Sequence, residues 1–302
     1  MGTDTGLSAF RSRCPRDAPG SLRGLSLLPV MLDAVLEYEL VGARFRPIVR
    51  LITAERVAHR LERAAHTDLF PGWPAIGADQ LLALARDVGR WACLERLWQK
   101  ASIEAVARRG TRGVPVLMPV DPVAFDAGWR PHQLAKLARA HGMLESVVPL
   151  LDLEDARVDV ARAEELAAEL RIAGFRIAAR ASRSGDLWRA AKPHWLVVGV
   201  DAIDRAALLA AEAFVGDARV LVDDARALRQ VEQVVRAGVG LAAGPAFGAP
   251  TERPEPLDPS FSAGLARKVD GWLLTEPTAP HPAVPASFWD SRVPTPAHGL
   301  PA

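Results

Sequence analysis

The sequence predicts an α/β barrel of seven or eight strand-and-helix units, and three observations carry that expectation. Short apolar runs alternate with helical stretches from residue 114 to residue 243. The runs are apolar on both faces, as strands of a parallel sheet covered by helices must be. Several helical stretches stop at a glycine (Gly142, Gly174, Gly238), where a left-handed C-cap belongs. Units this short and this numerous favour a closed barrel over an open doubly wound sheet. No glycine-rich turn between a strand and a helix matches a dinucleotide or phosphate loop.

In chain order, residues 1–24 are rich in Arg, Gly, Ser and Pro without periodicity and read as a loose arm. Apolar residues at helical spacing over 25–43 predict a helix, and 44–51 (RFRPIVRL) predicts a strand whose Pro47 argues for an edge or a bulge. One helical face runs through Leu81, Leu84, Val88, Trp91, Leu94 and Trp98. It predicts a single helix over 79–108, outside the barrel, that tolerates Gly89. Strands are then expected at 114–120, 146–151, 175–179, 195–200, 219–222 and 240–243. Helices are expected at 131–141, 160–173, 186–190, 204–214 and 225–237. The barrel domain is thus bounded at residues 25–250. The extension 251–302 holds ten of the 24 prolines and no repeat pattern, apart from a helical stretch over 261–274. Within it the pair Phe288 and Trp289 either anchors the tail on its own barrel or enters a groove on a partner.

With 49% hydrophobic residues among 302, the chain is long and apolar enough for a full core. A formal charge of +1 creates no bulk field toward nucleic acid or membrane. No stretch suits a signal peptide or a membrane span, and two cysteines cannot build a disulfide framework. These features predict a cytoplasmic protein, with Cys93 a reduced core residue. The ala-rich 204–214 helix, carrying Leu208, Leu209 and Phe214, is a candidate homodimer face or only a cover for the barrel.

Residues read singly offer little catalytic chemistry. The seven histidines show no metal-ligand spacing and read as surface or helix-end residues, and no serine sits in a GxSxG elbow. Asp223 and Asp224 follow a strand and admit two readings. They are either a metal or base position at the C-terminal face of a barrel, or a helix cap at Asp224 with Asp223 in solvent. Asp152, Glu154 and Asp155 allow the same pair of readings.

FRPIVRL at 45–51 resembles the opening strand of the EAL-domain cyclic di-GMP phosphodiesterases, roughly (Y/F)QPIV(D/N)L. The likeness continues through CLERLWQKA, VLMPVDP (116–122), VVPLLD (147–152), GFRIAARASRSG (174–185), KPHWLVVGV (192–200), VLVDDAR (220–226) and GVGLAAGPAFGAP (238–250). Each fragment is weak alone, but their order and spacing extend from residue 30 to residue 250. The resemblance implies a modified TIM (β/α)8 barrel with one antiparallel strand.

The same alignment implies that the family's chemistry is missing. The glutamate of the E-A-L signature falls on Arg60, the metal-binding asparagine on Pro119 and the E-x-T-E glutamates on Pro149 and Asp152. The paired aspartates fall on Arg180 and Ala181, the catalytic lysine on Val197 and the aspartate after it on Gly199. The last two glutamates fall on Asp223 and Arg226, and the loop glutamine on Ala243. Only Asp152 and Asp223 remain as acids, so no metal, no cofactor and no phosphodiesterase activity are expected. Arg46, Arg60, Arg180, Arg183 and Arg226 map near the same mouth. They are either an anion or nucleotide site built from bidentate guanidinium contacts, or a collapsed surface paired with Asp152 and Asp223. A non-catalytic regulatory module that binds another protein in cyclic di-GMP signalling is the leading expectation. A metal-independent receptor for cyclic di-GMP or another nucleotide is the alternative.

Overall fold

A computed structural model describes residues 27–66, 76–109, 113–125, 129–153, 158–180, 185–203 and 219–274. The arm at 1–24, the helix expected at 204–214, Arg183, Glu154, Asp155, and Phe288 with Trp289 lie outside the described residues.

The first helix, α1 (Leu27–Glu37), is shorter than expected. Glu39 adopts the left-handed φ of 52°, ending the helical path, and strand β1 (Val41–Arg50) follows at once. β1 pairs antiparallel with β2 (Glu55–Ala65), a strand absent from the sequence expectation. Its residues ERVAHRLERAA lack the continuous apolar run that marked the other strands, because its inward positions near the mouth are charged. Pro47 is not on an edge, since β1 is paired on both sides. The register does shift between Ile48 and Val49, one residue beyond the proline.

The helix expected over 79–108 is two helices, α2 (Ala78–Asp87) and α3 (Trp91–Arg108). Gly89 takes φ 70°, and the Gly89 and Arg90 N–H groups bond back to the carbonyls of Arg86 and Ala85. That is a helix stop, not an interruption, and glycine is what makes the left-handed turn inexpensive.

Strands β3 (Val116–Val120), β4 (Val147–Leu151), β5 (Ala178–Arg180), β6 (Trp195–Gly199), β7 (Arg219–Asp223) and β8 (Leu241–Ala243) continue from β2 in parallel. The order is β1 to β8 in a closed barrel, sealed by antiparallel pairing of β8 with β1. Thus β1 alone runs against the other seven. Helices α4 (Pro131–Ala140), α5 (Val160–Ile172), α6 (Gly185–Ala191) and α7 (Leu228–Arg236) follow strands β3, β4, β5 and β7. A last helix, α8 (Pro259–Leu274), lies against α7 and buries Leu265 and Val269 in the outer core. None of the described helices is long and apolar enough to cross a membrane.

Side chains separate into layers by strand alternation. Ile48, Ala58, Leu117, Val148, Leu150, Ala178, Trp195, Val197, Leu221 and Ala243 form the core inside the barrel. Phe45, Leu61, Met118, Leu151, Ala179, Val198 and Val222 face the helices in the outer core. A separate cluster, including Met31, Leu32, Leu81, Leu94 and Trp98, joins α1, α2 and α3. Two single-residue expectations fail here. Cys93 is exposed on α3 beside buried Leu94, because it falls one position off the helix's buried face. His59 is 1% exposed and not a surface residue, because it lies on the unforeseen β2 and turns to the outer core, edge-on to Phe45 at 5.7 Å. Burial, assisted by Arg56, lowers its pKa to about 4, so the imidazole is held neutral.

Candidate functional site

The C-terminal ends of β2–β5 open into a cleft of about 630 Å³ lined by Arg60, Glu62, Arg63, Asp79, Arg86, Pro119, Asp121, Asp152 and Arg180, among others. Alternation explains which side chains reach it. Ala58 faces the barrel interior, so Arg60 does too; Leu117 places Pro119, Leu150 places Asp152 and Ala178 places Arg180 in the cleft, and Leu221 places Asp223 inward, buried against Arg60 and Arg180. By the same count Pro149 sits with Val147 and Leu151 on the outer side. Leu150, not Pro149, therefore takes the inward position on β4 next to Asp152. Val197 is fully buried and fills the barrel interior, and Gly199 lies in register with Asp223.

Asp223 is the centre of the mouth. It is 1% exposed, so it does not face solvent, and its Oδ2 accepts from an Nη1 donor of Arg60 while Arg180 Nη2 stands 3.6 Å away. Its Oδ1 and the Arg60 Nε are buried without a hydrogen-bond partner. Arg46, inward on β1 opposite Arg60, donates to Glu62 and reaches the Gly248 carbonyl at 3.5 Å. Arg226 lies elsewhere, on the exposed loop after β7, where Asp224 pairs with it at 2.7 Å and raises its pKa. Asp224 therefore caps no helix. It adopts φ 64°, and α7 begins four residues later, because the Ala225 N–H is already bonded to the Ala243 carbonyl.

The wall between the cleft and α3 carries a polar network that the sequence did not announce. Glu95 on α3 is fully buried and accepts two bonds from Arg63 Nη2, at 2.7 and 2.9 Å, and one from the Asp121 N–H at 3.1 Å. Gln99 donates to the same carboxylate and accepts from the Trp129 indole, while Arg86 on α2 holds Asp121 at 2.9 Å. The Arg63 guanidinium also lies 5.7 Å over the Trp98 ring. Burial alone would lower the Arg63 pKa. Glu95, with Asp121 and Asp152 farther off, outweighs it and holds that pKa above its ordinary value. The only local sequence signal was a charge, Arg63, on the helix-facing side of β2, visible once β2 is known to be a strand.

Chemically, a pair of hard divalent ions needs oxygen ligands converging from several strand ends. The inward positions here present Arg60, Pro119, Arg180, Gly199 and Ala243, and of the two inward acids Asp152 is exposed and the buried Asp223 is engaged by Arg60. Among the described residues no group of three or more His, Cys, Asp or Glu side chains is disposed to hold a metal. The donor set fits guanidinium–carboxylate pairing and does not fit two metal ions.

No protein-family model and no curated protein sequence matches the chain. Solved structures do. The EAL domain of FimX from Pseudomonas aeruginosa, bound to c-di-GMP, superposes with a TM-score of 0.63 at 16% identity, over 75% of this chain and 97% of that one. A standalone EAL protein from Vibrio cholerae in its c-di-GMP-bound form gives 0.60 at 16%, over 74% and 97%. YkuI from Bacillus subtilis, which has an EAL domain and was solved with c-di-GMP and calcium, gives 0.60 at 16%, over 80% of this chain and 64% of that one. The fold of this chain is that of the EAL-domain barrels.

Proposed function

We propose that this protein is a non-hydrolysing barrel of cyclic di-GMP signalling that acts by binding another protein. One observation carries the reading: Arg60 and Arg180 converge on Asp223 at the strand ends where metal-dependent hydrolysis would need acids and amides. A positive group already bound to the surviving carboxylate opposes a divalent cation electrostatically and occupies its ligand oxygen. The other cleft arginines are also spoken for, Arg63 by Glu95 and Arg86 by Asp121, which leaves little free cationic charge for a dinucleotide's phosphates.

The test is product analysis after incubating purified protein with cyclic di-GMP and magnesium or manganese, together with calorimetric titration of the nucleotide without metal. The reading expects no linear product, no saturable nucleotide heat, and capture of a protein partner that is lost when cleft arginines are reversed to glutamate. Arg60→Glu alone is expected to restore no activity, because the remaining ligands stay absent. A second reading draws on the roughly 630 Å³ cleft itself, which has room for a nucleotide beside Arg60, Arg63, Arg86 and Arg180. Metal-free binding at micromolar affinity, weakened about tenfold or more by Arg180→Glu and left unchanged by Arg226→Glu outside the cleft, would favour that receptor over the protein-binding module.

A further inference from the structure

The end of the barrel opposite the cleft carries the reverse electrostatic arrangement. Arg50 closes β1, which runs downward while the other strands run upward, Arg176 directly precedes β5, and Arg219 opens β7. All three therefore sit at the N-terminal ends of the parallel strands. Alternation turns two of them inward, Arg50 after the inward Ile48 and Arg219 before the inward Leu221, while Arg176, just outside β5, is exposed at the rim. Trp195 is buried at the bottom of the barrel interior, with the Arg219 guanidinium 5.6 Å over its ring.

None of the three makes a salt bridge among the described residues, in contrast to the paired arginines of the mouth. Arg176 donates only to the backbone carbonyl of Glu145, at 2.8 Å. Glu55 is the register neighbour of Arg50 and is exposed, without an ion pair to it. Burial first, and then the positive charges of Arg176 and Arg50 at the same end of the barrel, push the Arg219 pKa down. His194, at the same end, has its pKa lowered by burial and by Arg171 and Arg176, so it adds donor capacity without adding charge at neutral pH. Three guanidinium groups gathered at one end of the barrel, without an ion pair among the described residues, cost stability unless an anion joins them.

We propose that the N-terminal end of the barrel is a binding site for a small phosphate-bearing ligand, held by the forks of Arg50, Arg176 and Arg219. The site is separate from the cleft and does not depend on the function assigned there. A dianionic phosphate suits the cluster better than a single carboxylate, because it neutralises two of the three charges and offers several acceptor oxygens at once.

The experiment titrates the full-length protein with inorganic phosphate at fixed ionic strength, reading calorimetric heat and Trp fluorescence. Saturable binding is expected, and Arg50→Gln and Arg176→Gln are each expected to raise Kd by about tenfold or more. Thermal melts in chloride and in phosphate supply the second measurement. Arg176→Gln should melt above the parent protein in chloride, where repulsion is relieved, and below it in saturating phosphate. Absence of saturable phosphate binding overturns the proposal, as does a melting order that is the same in both buffers. A glutamate-rich peptide serves as the competing anion, and binding of that peptide without binding of phosphate also overturns the assignment.

Discussion

At the scale of single residues, the ion pair of Asp223 with Arg60 is costly to break and inexpensive to replace. Asp223→Ala strands two guanidinium groups in a nearly dry mouth, and a loss of about 3–5 kcal/mol is expected in urea denaturation. Replacing both partners together, as Arg60→Met with Asp223→Leu, is expected to restore most of that loss, and a double variant as unstable as Asp223→Ala would contradict the pairing. His59 gives a second residue-level prediction. Its folded pKa of about 4 lies below the ordinary 6.5, so between those values the unfolded chain binds more protons than the native one. Stability is therefore full above pH 6.5 and falls as the pH drops toward 4, by on the order of 3 kcal/mol. His59→Leu should flatten that part of the stability–pH curve, and an unchanged slope would assign the acid sensitivity to other groups.

At the scale of elements, two glycines separate strain from collision. Gly89 ends α2 at φ 70° with open space where a Cβ would stand, so Gly89→Ala is expected to cost only the left-handed penalty, about 1–2 kcal/mol. Gly244 follows β8 at φ 144°, and a Cβ there would lie 2.3 Å from the backbone N and O of Ala225. Gly244→Ala should therefore cost about 3 kcal/mol or more, because the loops after β7 and β8 are bonded together through Ala225. Equal destabilisation of the two variants would show that the close approach is not maintained in solution. The elements themselves were unevenly legible in the sequence. Strands β3 to β8 could be read because barrel strands buried on both faces are short apolar runs. β2 could not, because Arg60, Glu62 and Arg63 are charged to serve the mouth and its wall. The site inherited that blind spot: Asp223 could be read as an acid after a strand, Arg60 and Arg180 were found only through family resemblance, and Glu95 resembled any solvated helix charge until α3 was placed against Arg63.

At the scale of the whole molecule, the described residues pair the arginines of the cleft with carboxylates and leave Arg50, Arg176 and Arg219 at the base without an ion pair. A divalent metal should consequently do nothing for global stability. A site with Kd near 10 μM would, at about 1 mM manganese, stabilise the protein by about 2.7 kcal/mol. The melting temperature is expected to be unchanged by manganese, and a clear upward shift would mean that carboxylates assemble in a way the paired geometry does not present.

The antiparallel β1 also governs the order in which the molecule can be completed. Its partner on one side, β2, is joined to it by a tight hairpin, but its partner on the other side, β8, arrives about 190 residues later and contributes only three register pairs, Leu241 to Ala243. During synthesis the first strand therefore waits with one row of backbone donors and acceptors bare until nearly the whole barrel has emerged. A ribosome that stalls short of Leu241 would release a chain with an open sheet edge, prone to stick to its neighbours, so the last three-residue strand acts as the seal on a vessel that every earlier element has only shaped.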